Sequence, residues 1–161
     1  MFSFLRKKQS YKMKAVVSGT SINMEDVNDV TFSQKLMGEG IAIIPNSDTV
    51  ISPCDGKINA LPESKHAFGI VSDDGVEILV HIGIDTVNLN GNGFKSEVSV
   101  GSVVKEGDKV ISFEREKIAA QGVDCTTMMI VLNHSEFTGI DCVTGESVVA
   151  GQSTVIEVAK W

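Results

Sequence analysis

His66, in "HAFGIVS", and His81, in "VHIGIDTV", lie on either side of a short turn signal, Asp73-Asp74-Gly75. An imidazole has a free pKa of about 6.5, so at neutral pH it is an uncharged base that can also take a proton. Two such rings brought together could do one of two things. They could supply two of a zinc ion's four ligands, which would require a further His, Cys or carboxylate nearby. Alternatively, one ring nitrogen could attack phosphorus while the other imidazole donates to the phosphoryl oxygens. Whether the rings meet at all depends on the elements that carry them.

The run after the turn signal has a period of two. Val76, Ile78, Val80 and Ile82 share one face, and Glu77, Leu79 and His81 share the other. The apolar set must be the core face, so His81 points away from the main core. The preceding run should pair with it as a hairpin. If paired residue numbers sum to 147, His66 opposes His81 and Phe68 opposes Leu79. A sum of 149 keeps the faces and sets the histidines diagonally. A sum of 148 would turn His66 onto the Val/Ile face, because a one-residue slip inverts every side chain. The expected registers are therefore 147 or 149, with imidazole Cβ atoms about 5 Å or about 7–8 Å apart.

Around this hairpin, short apolar runs alternate with glycine-rich punctuation from Met13 onward. "KAVVSG", "IAIIP", "TVISP", "GKINAL", "GSVV", "KVISFE", "TTMMIVLN" and "STVIEVAK" all read as strands. Only 30–37 and 113–122 could hold short helices. The expected fold is all-β, an antiparallel β-sandwich or distorted barrel with one or two short helical segments. Residues 1–12 read as a basic flexible tail and 13–161 as a single domain, since 161 residues are enough for one ordinary core and too few for two.

Charge narrows the function. The net charge is −7, yet residues 1–14 hold five bases and no acid, leaving 9 bases against 21 acids on the other 147 residues. Such a body does not bind nucleic acid by charge and suits a basic protein partner. The leading "MFSFLRKKQSYK" could give weak, salt-sensitive contact with an anionic membrane surface. It is not a secretory signal, and no apolar run is long enough to span a bilayer, so a cytoplasmic location is expected. Cys54, Cys125 and Cys142 are odd in number and form no C-x-x-C pair, which points to free thiols. His134 reads as a surface histidine.

"SKHAFGIVSDDGVEILVHIGIDTVNLNGNGF" resembles the glucose-type IIA phosphocarriers of the bacterial phosphoenolpyruvate-dependent sugar phosphotransferase system. The resemblance continues through "GEGIAIIP", "VISPCDGKI" and "VKEGDKVI" and covers roughly residues 15–161. It implies a phosphoryl group accepted on His81 from phosphorylated HPr and passed to a cysteine of a IIB permease domain. His66 falls on the position of the phosphoryl-stabilising partner, and Ser64 on the hydroxyl that orients it, where many relatives have threonine. Gly83 falls on the glycine whose carbonyl fixes the nucleophile's tautomer. Asp29 and Asp85 fall on the flanking acids, and Val30, Phe32, Leu36, Phe68 and Leu79 on an apolar docking rim. Thr31 and Pro62 depart from the apolar or aromatic residues of some relatives. No cofactor is implied and no metal is required, although His66 and His81 could bind zinc adventitiously. Since the chain starts at methionine and ends soon after its last strand, it reads as free-standing.

The chemistry agrees with that resemblance. A carbonyl that accepts from Nδ1–H leaves Nε2 as the nucleophile, and phosphoryl transfer otherwise needs mainly positioning and electrostatics. Asp29 and Asp85 would repel a phosphoryl group but would orient an arginine of HPr. Three rival readings are weaker. A LytM-type zinc peptidase would need an H-x-H pair, which is absent. A biotinyl or lipoyl carrier would need a lysine at a hairpin tip, whereas "KMK" lies at 12–14. A regulatory binding protein of the same fold that transfers nothing would have no use for both histidines.

Overall fold

The computed structural model describes residues 8–161. Its strands are β1 (Gln9–Lys14), β2 (Gly19–Asn23), β3 (Glu39–Pro45), β4 (Thr49–Ile51), β5 (Gly56–Ala60), β6 (Ala67–Ser72), β7 (Glu77–Ile82), β8 (Phe94–Ser96), β9 (Val103–Val104), β10 (Lys109–Phe113), β11 (Thr127–Val131), β12 (Gly139–Cys142), β13 (Ser147–Val148) and β14 (Thr154–Lys160). Two short helices are α1 (Val30–Ser33) and α2 (Arg115–Ala120). The expected all-β class with little helix is what the chain adopts.

Eight strands form one antiparallel sheet in the order β13-β2-β3-β11-β7-β6-β5-β9, and two three-stranded sheets, β1-β14-β12 and β4-β10-β8, complete the sandwich. The main core holds Ile78, Val80 and Ile82 of β7 with Val110 and Ile111 of β10 and Ile156 and Val158 of β14. The period-two reading of 76–82 therefore holds, since Ile78, Val80 and Ile82 are all buried. The opposite face of the large sheet is not open to solvent. Met128 and Ile130 of β11 and Ala42 of β3 are covered there by Met24, Val27 and Phe32, which makes a second, smaller core. Leu79 packs against that cluster.

The hairpin register is corrected. Ala67 pairs with His81, Phe68 with Val80 and Ile70 with Ile78, so the paired numbers sum to 148. The turn decides this. Ser72 N–H bonds the Val76 carbonyl at 2.8 Å and Gly75 N–H bonds the Ser72 carbonyl at 3.0 Å, with Gly75 at φ 88°. A three-residue loop with glycine in the left-handed position fixes one register. Phe68 accordingly lies on the Val/Ile face, fully buried in the main core. It is not on a docking rim, as the sequence suggested.

Residues 9–12 are not tail. They form most of β1, paired with β14 from Gln9↔Lys160 onward, and Tyr11 packs against the main core. Residues 1–7, where the rest of the proposed tail lies, are outside the described residues. "KAVVSG" is not one strand: β1 ends at Lys14, β2 starts at Gly19, and residues 15–18 between them belong to neither. Ala15, Val16 and Val17 are fully buried, but their backbone bonds go to separate elements, from Ala15 N–H to Ser153 and from Ile51 N–H to Val16. This stretch stitches the sheets together instead of lengthening one of them. Among the described residues no helix is long and apolar enough to cross a membrane.

Burial of Phe68 yields a direct check. Phe68→Ala should cost about 3–5 kcal/mol in urea unfolding, as truncating a buried aromatic does. Unchanged stability would return Phe68 to the surface.

Candidate functional site

The site is built at the open end of the β6–β7 hairpin. His66 precedes β6 and follows Lys65, whose backbone is left-handed at φ 54°. A turn closed by the Lys65 N–H to Pro62 carbonyl bond, 2.9 Å, brings the chain in. His66 lies just before β6, its carbonyl still accepting from Ile82 N–H at 2.7 Å, and its side chain is turned to His81 instead of following the alternation of the strand. Its ring lies 4.9 Å from the His81 ring, centre to centre, with the planes 78° apart. The two histidines meet as expected, by a different route from the one the register argument supplied.

Each ring is held at Nδ1. His81 Nδ1 lies 2.8 Å from the Gly83 carbonyl. A carbonyl only accepts, so Nδ1 carries the proton and Nε2 keeps its lone pair. Gly83 is itself locked in place. Its N–H bonds the Thr126 carbonyl at 2.9 Å, and the next amide, of Ile84, bonds Asp124 at 2.8 Å. Its φ is 81°, and a Cβ there would lie 2.4 Å from Thr86 Cγ2. Ser64 Oγ sits 2.5 Å from His66 Nδ1. A hydroxyl serves either tautomer; when it donates to Nδ1, His66 presents Nε2–H as a donor.

Phe32 lies over His81 with ring centres 5.0 Å apart. It is 6% exposed, so it covers the His81 ring and is not part of an open rim. Asp29 caps α1, its Oδ1 accepting from Thr31 N–H at 2.9 Å, and this positions Phe32 one turn later. The outer rim consists of Val30, 64% exposed, Leu36, 67% exposed, and Met37, 38% exposed. Leu79 is half-buried beneath. Met37 and Val87 are exposed apolar residues that the sequence reading passed over. Val87 shares a crevice with Glu63, Ser64 and Asn90, and its place in "IDTV" was the available signal. His134 is exposed, far along the chain in a short turn of its own. Among the described residues no three His, Cys, Asp or Glu side chains converge as a metal site.

Burial pushes the His81 pKa down to about 4, and the neighbouring His66 adds to this; the Gly83 carbonyl, Asp29 and Asp85 pull the other way. His66 is lowered too, by burial. Both rings are therefore neutral at neutral pH, and His81 is a ready nucleophile with an oriented donor beside it. That is a geometry for moving a phosphoryl group.

Known proteins resemble this chain along nearly its whole length. Residues 11–137 match the family model for the phosphoenolpyruvate-dependent sugar phosphotransferase system, EIIA 1. The glucose-specific EIIA component of Haemophilus influenzae is 40% identical over 154 residues, covering 96% of this chain and 92% of that one. The glucosamine-specific EIICBA component of Bacillus subtilis is 43% identical over 120 residues, 74% of this chain and 19% of that longer protein. The structure of glucose permease IIA from Mycoplasma capricolum superimposes with a TM-score of 0.84 at 33% identity, covering 92% of this chain and 96% of that one.

The lowered histidine pKa values have a consequence for stability. The unfolded chain binds protons on these rings near pH 6.5, while folded His81 resists until about 4. Stability from His81 is thus complete above about pH 6.5 and falls as pH drops toward 4. A urea midpoint followed over that window should fall less in His81→Gln than in the wild type. Parallel curves would show that His81 titrates as if exposed.

Proposed function

Because the chain belongs to the EIIA family of the phosphoenolpyruvate-dependent sugar phosphotransferase system, we propose that His81 is the residue on which it carries the phosphoryl group. The chain is a phosphocarrier of that system, a phosphotransferase component that passes phosphate to a IIB domain. In the first step Nε2 of His81 attacks the phosphorus of phosphorylated HPr. A new N–P bond forms as the donor's N–P bond breaks, and the donor imidazole leaves with its electron pair. In the second step a IIB cysteine thiolate attacks the same phosphorus and His81 leaves neutral, its Nδ1–H still on Gly83. His66, held by Ser64, donates to the phosphoryl oxygens chiefly in the second step, as charge reorganises during transfer to the cysteine. The observation that carries this reading is the His81 ring with Nδ1 committed to Gly83 and a second imidazole at 4.9 Å.

The surroundings fit the two partners. Val30, Leu36 and Met37 offer a patch that a partner can dehydrate, and Asp29 and Asp85 flank it to orient an arginine of HPr. A glucose-type permease in the membrane and a cytoplasmic location follow from the same reading. Zinc has no role in it, since two imidazoles supply only half of a tetrahedral set.

The test is phosphorylation by phosphoenolpyruvate, enzyme I and HPr in the presence of a chelator. The wild type should gain one acid-labile phosphoryl group and His81→Ala none. His66→Gln should still be charged by HPr but deliver slowly to a IIB domain, by the roughly 2.7–4 kcal/mol that losing one transition-state donor costs. Labelling of His81→Ala, or undiminished delivery by His66→Gln, would refute these roles.

A further inference from the structure

Lys35 occupies a left-handed backbone position at φ 55°, two residues beyond α1. Glycine takes that conformation freely, and a lysine does so only when its surroundings hold it there. Its ammonium lies 3.2 Å from Glu25 Oε1 and 3.2 Å from Glu39 Oε2. Glu25 belongs to the one-turn 3-10 helix Met24–Asp26, and Glu39 is the first residue of β3. The Lys35 side chain therefore joins the start of the segment that covers His81 to its return into the large sheet. Hydrogen bonds to Glu25 and then Glu39 hold the ammonium above its usual pKa, so it stays charged at any physiological pH.

The backbone around Lys35 is tied as well. Its N–H bonds the Phe32 carbonyl at 2.9 Å, Leu36 N–H bonds Thr31 at 3.1 Å, and Gly38 N–H returns to the Lys35 carbonyl at 3.3 Å. Leu36 and Met37 form the apex of this tied loop, Leu36 67% exposed and Met37 38% exposed. Two apolar side chains held in water by a strained and doubly paired lysine are poised for contact with something apolar.

We propose that Lys35 is a positioning residue for docking. The Glu25–Lys35–Glu39 clamp holds the Leu36–Met37 apex in the arrangement that the apolar contact surface of the phosphoryl donor meets. This rests on the reading of His81 as the acceptor for HPr. A loop ordered in advance spares the encounter that ordering, so its loss weakens binding and leaves the chemistry unchanged. Lys35 touches no reacting atom.

Lys35→Met keeps the stem and removes the charge. It should raise KM for phosphorylated HPr about fivefold, the scale of one exposed ion-pair network, with kcat within about twofold. Lys35→Arg, which can also span two carboxylates, should restore most of the KM. Calorimetry with unphosphorylated HPr should show the same weakening, and it reads the clamp even if His81 proves not to be the acceptor. An unchanged KM and affinity in Lys35→Met overturns the proposal. So does a fall in kcat alone, or a loss of folding stability that accounts for the weakened binding. Wild-type protein that binds HPr but takes no phosphoryl on His81 would refute the acceptor reading and leave the clamp to the calorimetry.

Discussion

The hydrogen bond from His81 Nδ1–H to the Gly83 carbonyl, 2.8 Å long, decides which nitrogen of the ring can react. Everything nearby serves to keep that carbonyl in place. Gly83 needs a left-handed backbone to turn its carbonyl back toward a ring two residues earlier. Thr86 fills the space where a Cβ would stand, and its hydroxyl donates to the Ile82 carbonyl at 2.5 Å. Thr126 and Asp124 accept from the two amides that follow Ile82. β11 begins immediately after Thr126, so the orientation of the imidazole is tied to the centre of the large sheet. A rotation of the ring would break this bond and disturb a stack of buried contacts with it.

The second constraint is dryness. A histidine that attacks phosphorus must be neutral, and burial keeps it so. Phe32 and the small core around Met24, Val27 and Met128 supply low-polarity surroundings on one side, and His66 closes another. Burial is the largest influence on His81, and the two acids nearby oppose it without reversing it. Asp29 is partly occupied in capping α1, so the residue that helps flank the site also fixes the helix that covers it. The opposite face of the same strand, through Ile78, Val80 and Ile82, anchors the main core. β7 thus carries the main core on one face and His81 on the other, which the two-residue period of a strand allows.

Alternation along 76–82 is enough to read the direction of His81 from the residues alone, and the shared motif points to Gly83 and Ser64, which lie against Nδ1 of His81 and of His66. The register of the hairpin was not readable from face-matching. Face-matching holds only where the side chain obeys the pleat, whereas His66, at the strand's edge after the left-handed Lys65, turns to His81 out of register, and Gly75 in a three-residue loop sets the pairing. That single slip explains why Phe68 was expected on the rim and is found in the core. Phe32 was recognised as apolar and near the site, but a one-dimensional pattern does not separate a cover from a rim. β1 was missed for a plainer reason. Gln9–Lys14 is a polar edge strand, and its identity comes from pairing with β14, nearly the full chain away. Only Tyr11 and Met13 mark its core face, too short an alternation to read a strand from.

The central claim is that phosphorus is carried on Nε2 of His81 while Nδ1–H stays on Gly83. The most direct measurement is nitrogen-15 and phosphorus-31 NMR of the histidine-labelled, phosphorylated protein. Phosphorus–nitrogen coupling to Nε2 of His81 is expected, with Nδ1 still protonated. Coupling to Nδ1 of His81, or to either nitrogen of His66, would contradict it.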